Sequence, residues 1–294
     1  MILPTDLPLP DGVSRAEYDA LPGLNQSKAR ALLSSPARFR WECDNPSDAT
    51  PDMIAGTVAH VLVLEPDSYA DRFVVVPEDA PTKPTARQIN AKKPSDDTLK
   101  AIEWWAKFNE ASTGKDIISR TIADNARAYA DGILRTMSAY GINPIAVEVA
   151  LTADYHGVLL KGSLDIVGED GFIYDAKTTR EAATREGFGK AVDRSKELKL
   201  QAAWYRYLFS KRTGVYPEGF RWIAQEKEAP YLGAVFEAHP DHLAEGGELM
   251  LQVITAFKSC ETLGEWPGYP TEVIKLDSWR VNQSTKGSAP LNFA

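Results

Sequence analysis

Hydrophobic positions along this chain follow a helical spacing through the first half and an alternating one through much of the second. Residues 1–22 are Pro-rich and read as an extended arm. Asn25-Gln26-Ser27 has the composition of a helix start, with Lys28 to Leu33 as the body; Ser34-Ser35-Pro36 ends that helix and begins another through Trp41. A polar loop spans 45–51. Met53 to Leu64 is apolar with helical spacing and stops at Glu65-Pro66, and Phe73 to Pro77 reads as a short strand. Pro81, Pro84 and Pro94, with Lys83, Arg87, Lys92 and Lys93, make 78–98 a mobile basic loop. Leu99 to Asn109 and Ile117 to Tyr140 are expected to be helices, the second ended by Gly141-Ile142-Asn143-Pro144.

From there the period changes to two. Ile145, Val147, Val149 and Leu151 are expected on one face of a strand. Val158–Val167 and Phe172–Lys177 follow as two buried strands joined by Gly168-Glu169-Asp170-Gly171. A helix over 198–209, strands over 220–228 and 232–238 around Ala229-Pro230-Tyr231, and a helix over 241–263 complete the pattern. The fold class is α/β: a mixed central sheet of about five strands flanked by helices, with a helical lead-in. The expected organisation is an arm (1–22), one domain over 23–282 divided into a helical part (23–144) and a sheet part (145–282), and a tail (283–294).

Two of the apolar strands carry charges that a core face would replace with Val or Ile. Asp165 lies within Leu164-Asp165-Ile166-Val167, and Asp175-Ala176-Lys177 lies ten residues on, with Asp175 and Lys177 on one face. Such charges are costly in an apolar strand unless paired or bound to metal. An edge-strand ion pair would explain the second pair. A metal site explains both. Phosphodiester cleavage needs an activated water, neutralisation of the extra phosphoryl charge and help for the leaving oxygen, and Mg²⁺ held by carboxylates with open positions supplies all three. Asp165 and Asp175 are the candidate hard ligands, the Ala176 carbonyl a further one, and Lys177 the group that orients water or stabilises charge.

Composition narrows the class. The chain has 294 residues, 44% of them hydrophobic and 25% charged, ordinary for a globular protein. No run is long and apolar enough to cross a bilayer and no signal segment is evident, so a cytoplasmic location with no membrane partner is expected. Cys43 and Cys260 are far apart, which fits a reducing compartment and does not supply a four-cysteine cluster. The net charge of −8 by itself disfavours nucleic acid. Residues 185–212, however, hold eight Lys/Arg against three acids. Beside the acidic strands this run reads as phosphate contacts, with Arg180, Arg185 and Lys190 as the leading candidates. Trp104 and Trp105 could stack on an unpaired base, although packing of their helix is the commoner role.

A strand with Asp, a hairpin, Asp-x-Lys and then a helix with Gln201-Ala202-Ala203-Trp204-Tyr205 resembles the PD-(D/E)XK nuclease superfamily. The branch it resembles contains the RecB nuclease domain, phage lambda exonuclease and RecE (exonuclease VIII). That branch often has an upstream helical histidine, and Gly56-Thr57-Val58-Ala59-His60 followed by Val63-Leu64-Glu65-Pro66 is similar to it. The opening segment 24–39 and Trp222 to Tyr231 resemble RecE-like exonucleases in particular, so the likeness runs from about 20 to 282. The residue before the first acid is Leu164 where the superfamily name has Pro.

By this resemblance His60 is a metal ligand or orients one, and Gln201 and Tyr205 join Asp165, Asp175 and Lys177 in the catalytic set. Glu148, on the minority face of its strand, is a further carboxylate candidate. The resemblance implies a Mg²⁺-dependent exonuclease, with Mn²⁺ substituting and two ions per site. The expected substrate is a linear double-stranded DNA end, resected 5′ to 3′ to leave a 3′ single strand for annealing-type recombination in a phage or prophage setting. The implied partners are a RecT-like single-strand annealing protein and further copies of the chain in a ring, a tetramer favoured. A PD-(D/E)XK endonuclease and an inactive DNA-end binding module are the alternatives.

Overall fold

The computed structural model describes residues 15–269 and 271–273; most of the expected arm and the whole C-terminal tail lie outside them. The helical half comprises α1 (Arg15–Ala20), the two-residue strand β1 (Leu24–Asn25), α2 (Gln26–Ala29) running into a 3₁₀ turn, α3 (Pro36–Asp44), α4 (Pro51–Leu64), α5 (Tyr69–Arg72), β2 (Phe73–Val75), α6 (Ala86–Ile89), α7 (Asp96–Ala111), β3 (Asp116–Ile118) and α8 (Arg120–Ala139). The sheet half comprises β4 (Pro144–Tyr155), β5 (Val158–Gly168), β6 (Phe172–Thr179), α9 (Lys190–Arg194), α10 (Lys196–Thr213), β7 (Gly219–Glu226), β8 (Gly233–Glu237) and α11 (Pro240–Leu263).

Side-chain caps set most of the helix starts. Asn25, Ser35, Thr50, Ser95, Ser119 and Ser195 each accept a backbone N–H from the first turn of α2, α3, α4, α7, α8 and α10. Gly214 and Gly264 end α10 and α11 in the left-handed conformation. Three differences from the sequence reading are local. Part of the expected arm is α1. Residues 116–118 are β3, paired with β2, because the apolar pair Ile117-Ile118 precedes the Ser119 cap that starts the helix. Part of the expected basic loop is α6, closed by a reciprocal Thr85–Gln88 capping box.

The main sheet runs β4-β5-β6-β7-β8 and is mixed: β6 and β7 are parallel, and the other pairs along this row antiparallel. The parallel step requires a crossover, supplied by α10. β5 is long enough for one edge to hold β6 near its end and β1 near its start. The expected α/β class is the one observed. One face of the sheet is covered by α10 backed by α11, through Leu164, Val167, Ile173, Trp204, Phe209 and Trp222. The other is covered by α4 and α8, through Leu64, Ile133, Met137, Ile166, Tyr174 and Ile223.

The N-terminal segment is fastened to this sheet from below. Lys161 on β5 is buried, and its ammonium donates to the carbonyls of Tyr18, Asp19 and Leu21 at 2.9–3.0 Å. Three carbonyl acceptors satisfy the three donors of a desolvated ammonium.

Candidate active site

β5 and β6 are paired only through Ile166↔Tyr174 and Val167↔Ile173, beside their turn. Extending that register by one residue sets Asp165 opposite Asp175. On the other edge of β5, Val147↔Ile166 and Val149↔Leu164 set Glu148 opposite Asp165. Three carboxylates on three adjacent strands therefore occupy one cross-strand row. At this row β6 leaves β5, and the N–H of Ala176 is taken by the Asp165 carboxylate at 2.9 Å. The strands also change phase here. Val149 and Leu151 on β4, and Leu160 and Leu164 on β5, belong to the core under α10; so do Ala146 and Val167, three residues from Val149 and Leu164. In a regular strand residues three apart face opposite ways. Glu148 takes up the slip with a left-handed φ of 48°, a conformation uncommon for residues other than glycine. The continuous face expected for β4 is thus broken, and Ile145 and Val147 are exposed.

His60 approaches from α4. Its Nε2 lies 2.8 Å from the Ala176 carbonyl oxygen, and a carbonyl only accepts, so Nε2 carries the proton. Nδ1 is left with its lone pair, 3.6 Å from Asp165 Oδ2. One ligand atom each from His60, Glu148 and Asp165 lie within 4.8 Å of one another, a span one divalent ion can bridge. Ser163, next but one along β5, donates to Glu148 at 3.1 Å.

Asp175 is buried on the α10 side of the row. Its Oδ1 accepts from Gln201 Nε2 at 3.0 Å, and the same nitrogen lies 3.4 Å from the Tyr205 hydroxyl. Its Oδ2 has the Lys177 ammonium at 2.6 Å but accepts no well-aligned hydrogen bond. An underused buried carboxylate oxygen suits a metal ligand. Gly162 lets α10 come this close to β5, since a Cβ there would meet Tyr205 Cε1 at 3.0 Å and Leu208 Cδ1 at 2.9 Å. Trp204 fixes the same approach by donating to the Lys161 carbonyl at 3.1 Å.

Burial, and then the neighbouring Asp175, push the Asp165 carboxyl up to about 7. Burial works against the charged Lys177, but Asp175 and Asp165 outweigh it and hold the ammonium above its ordinary range. Burial and the same two acids raise the Tyr205 hydroxyl, so it remains a proton donor. A cation bound among these carboxylates would reverse the first effect. The residues present fit a divalent ion.

The structure thus brings together His60, Asp165, Asp175, Ala176, Lys177, Gln201 and Tyr205, and adds Glu148. Of these, His60, Glu148, Ala176 and Lys177 line a cleft of about 860 Å³, with Lys227 among its other walls, while Asp165, Asp175 and Gln201 are buried behind them. Arg185 and Lys190 are exposed beyond the end of β6. Arg180 turns to the α4 start and pairs with Asp52, whose carboxylate also takes Lys227 at 3.3 Å. The basic run does not act as one surface: Lys199 is buried against Glu245 at 2.7 Å and the Asp193 carbonyl, because it lies on the α10 face that packs on α11. Trp104 and Trp105 pack with Phe108, and Trp105 donates to the Pro81 carbonyl. Sequence reasoning missed Ser163, Asp52 and Lys227. Lys227 sits in a turn that carried the family likeness, while Ser163 and Asp52 have no signature of their own.

Residues 25–276 match the family described as PDDEXK-like domain of unknown function (DUF3799). No curated protein matches the sequence. Among solved structures the fold is similar to a crystal structure from Eubacterium rectale described as a "Putative exonuclease", with a TM-score of 0.55 at 11% identity, covering 92% of this chain and 98% of that one. A second crystal structure, of SSO0001, has a TM-score of 0.28 at 12% identity over 72% of this chain and 88% of its own. Among the described residues no helix is long and apolar enough to cross a membrane.

Proposed function

Because the chain belongs to the PDDEXK-like family DUF3799, we propose that it is a divalent-metal-dependent deoxyribonuclease that degrades linear double-stranded DNA from its ends. The observation that carries this reading is the row of Glu148, Asp165 and Asp175, with His60 beside Asp165 and Lys177 beside Asp175, reaching a cleft through Glu148, His60 and Lys177. His60, Glu148 and Asp165, with Asp175 Oδ2, would hold the metal, and the Ala176 carbonyl has a second lone pair to offer. Mg²⁺, for which Mn²⁺ would substitute, supplies a water of lowered pKa and neutralises phosphoryl charge. Lys177 is placed by Asp175 to orient that water or meet charge developing on the phosphate. Gln201 holds Asp175 in position and Tyr205 offers a protonated hydroxyl beside it. Arg180, Arg185 and Lys190 are proposed as duplex phosphate contacts, Arg180 after exchange of its Asp52 pair.

The finer reading is 5′ to 3′ resection that leaves a 3′ single strand, in a ring of copies supplying a RecT-like annealing protein in the cytoplasm. It rests on the sequence resemblance; the solved fold that the chain is similar to is described only as a "Putative exonuclease". Digestion of linear and covalently closed duplexes with Mg²⁺, each linear end labelled in turn, tests it. Loss of linear DNA alone, the 5′ label first, and no loss with Asp175→Ala support it. Cleavage of closed circles makes the protein an endonuclease, and binding of ends without cleavage makes it a binding module.

A further inference from the structure

A second groove, of about 610 Å³, opens on the surface of α2 and α3. It is bordered by Lys28, Arg30, Arg38 and Trp41. Ser27 lines both this groove and the metal cleft, so the two adjoin at that residue. The groove departs from the rest of the molecule in charge. Its lining holds Lys28, Arg30 and Arg38 against one acid, Glu42, in a chain of net charge −8.

The side chains are built outward. Phe39 anchors α3 by stacking on Trp266 at 5.2 Å. Arg38 and Trp41, three residues apart, share the outer face of the same helix. Trp41 is 57% exposed, and the Arg38 guanidinium lies 5.7 Å from its ring centroid. The other described tryptophans are half-buried or buried. The ion pairs of Arg38 with Glu42 and Arg30 with Glu197 are solvent-exposed. Pairs of that kind are weak and yield readily to a competing phosphate.

We propose that this groove binds an unpaired DNA strand leaving or entering the cleft, with a base stacked on Trp41 and its phosphates on Arg38, Arg30 and Lys28. This rests on the nuclease reading above. A flat exposed indole flanked by cations recognises a base face, which a duplex keeps stacked and hidden. The commitment is therefore to single-stranded DNA.

The test is fluorescence anisotropy of the full chain in EDTA, so that no cleavage occurs, with a labelled single-stranded oligonucleotide and a blunt duplex of the same sequence. Trp41→Ala is expected to weaken single-strand binding about tenfold or more, while Trp41→Phe, which keeps a stacking ring, retains most of it. Arg38→Ala is expected to lower the slope of log affinity against log salt by about 0.7 for the single strand. Trp41 and Arg38 are surface residues, and circular dichroism confirms that the variants are folded. Equal losses on duplex and single strand, no loss with Trp41→Ala, or no single-strand binding by the unmodified chain would each overturn the assignment. Cleavage of linear DNA by the unmodified chain is scored separately. Cleavage without a Trp41 effect sinks the groove alone; a Trp41 effect without cleavage sinks the nuclease reading alone.

Discussion

Replacing Asp165 by Asn should stabilise the metal-free protein at alkaline pH, and the size of the gain can be worked from its surroundings. The Asp165 carboxyl is raised from 3.8 to about 7, by burial first and then by Asp175. Below about pH 3.8 the folded and unfolded chains both hold this proton and the group is neutral to stability. Between that value and about 7 the unfolded chain loses the proton while the folded chain keeps it, so folding weakens as pH rises; above about 7 the full deficit is present. The interval corresponds to about 4 kcal/mol at about 1.4 kcal/mol per unit. Asn is nearly isosteric and its oxygen can still accept the Ala176 N–H. The attraction of Lys177 for the carboxylate is already contained in the value of about 7, so removing the charge is worth roughly that same 4 kcal/mol at pH 8 and about none at pH 4. For a chain of this size that is a rise in Tm of about 8–16 °C. Thermal melts of both proteins in EDTA across pH 4–8 measure it, and repeating them in Mg²⁺ should reverse the order, because a cation stabilises only the chain that ligates it. If Asp165→Asn is equally or less stable than the parent at pH 8 in EDTA, the carboxylate is not held at a cost and the argument for a metal there fails.

Three further outcomes are expected. Gly162→Ala should push Tyr205 and Leu208 off β5, lowering stability by about 1–3 kcal/mol and cleavage more than metal affinity; denaturant melts and cleavage rates on one preparation separate the two. Lys177→Met should leave Mn²⁺ binding measurable by calorimetry while cleavage falls by about 100-fold or more, and loss of both would assign Lys177 to holding the site together. Ser163→Ala removes the hydroxyl that orients Glu148 and should weaken Mn²⁺ binding by about tenfold; an unchanged isotherm would remove Glu148 from the ligand set.

Asp165, Asp175 and Lys177 were legible because charge in an apolar strand violates the pattern around it, whereas Gln201 and Tyr205 stood out through the family resemblance, their four-residue spacing only placing them on one helix face. The register that lines up Glu148 with them was not. A strand's alternation repeats every two residues, so a slip at Glu148 leaves the string of apolar letters unchanged while it reverses which of them are buried: Ile145 and Val147 are exposed, Val149 and Leu151 are not. Lys199 misled for the opposite reason. Its neighbours read as a charged face, and only the packing of α11 on α10 shows that it is enclosed. Arg180 is adjacent to the site in sequence, but Asp52, a partner 128 positions away, decides where its guanidinium goes.

Lys161 makes the length of the chain a functional variable. The strand that holds its ammonium also carries Ser163 and Asp165, two and four residues on. The carbonyls that satisfy it come from residues 18–21, just ahead of the opening segment at 24–39. A version trimmed to start at Pro22 would keep every catalytic letter and still bury a cation with none of those three acceptors, on the strand where the carboxylate row is built. The N-terminal boundary chosen for expression thus decides whether the site is assembled on an intact strand, and a trimmed protein that proves inert would report on that boundary before it reported on the chemistry.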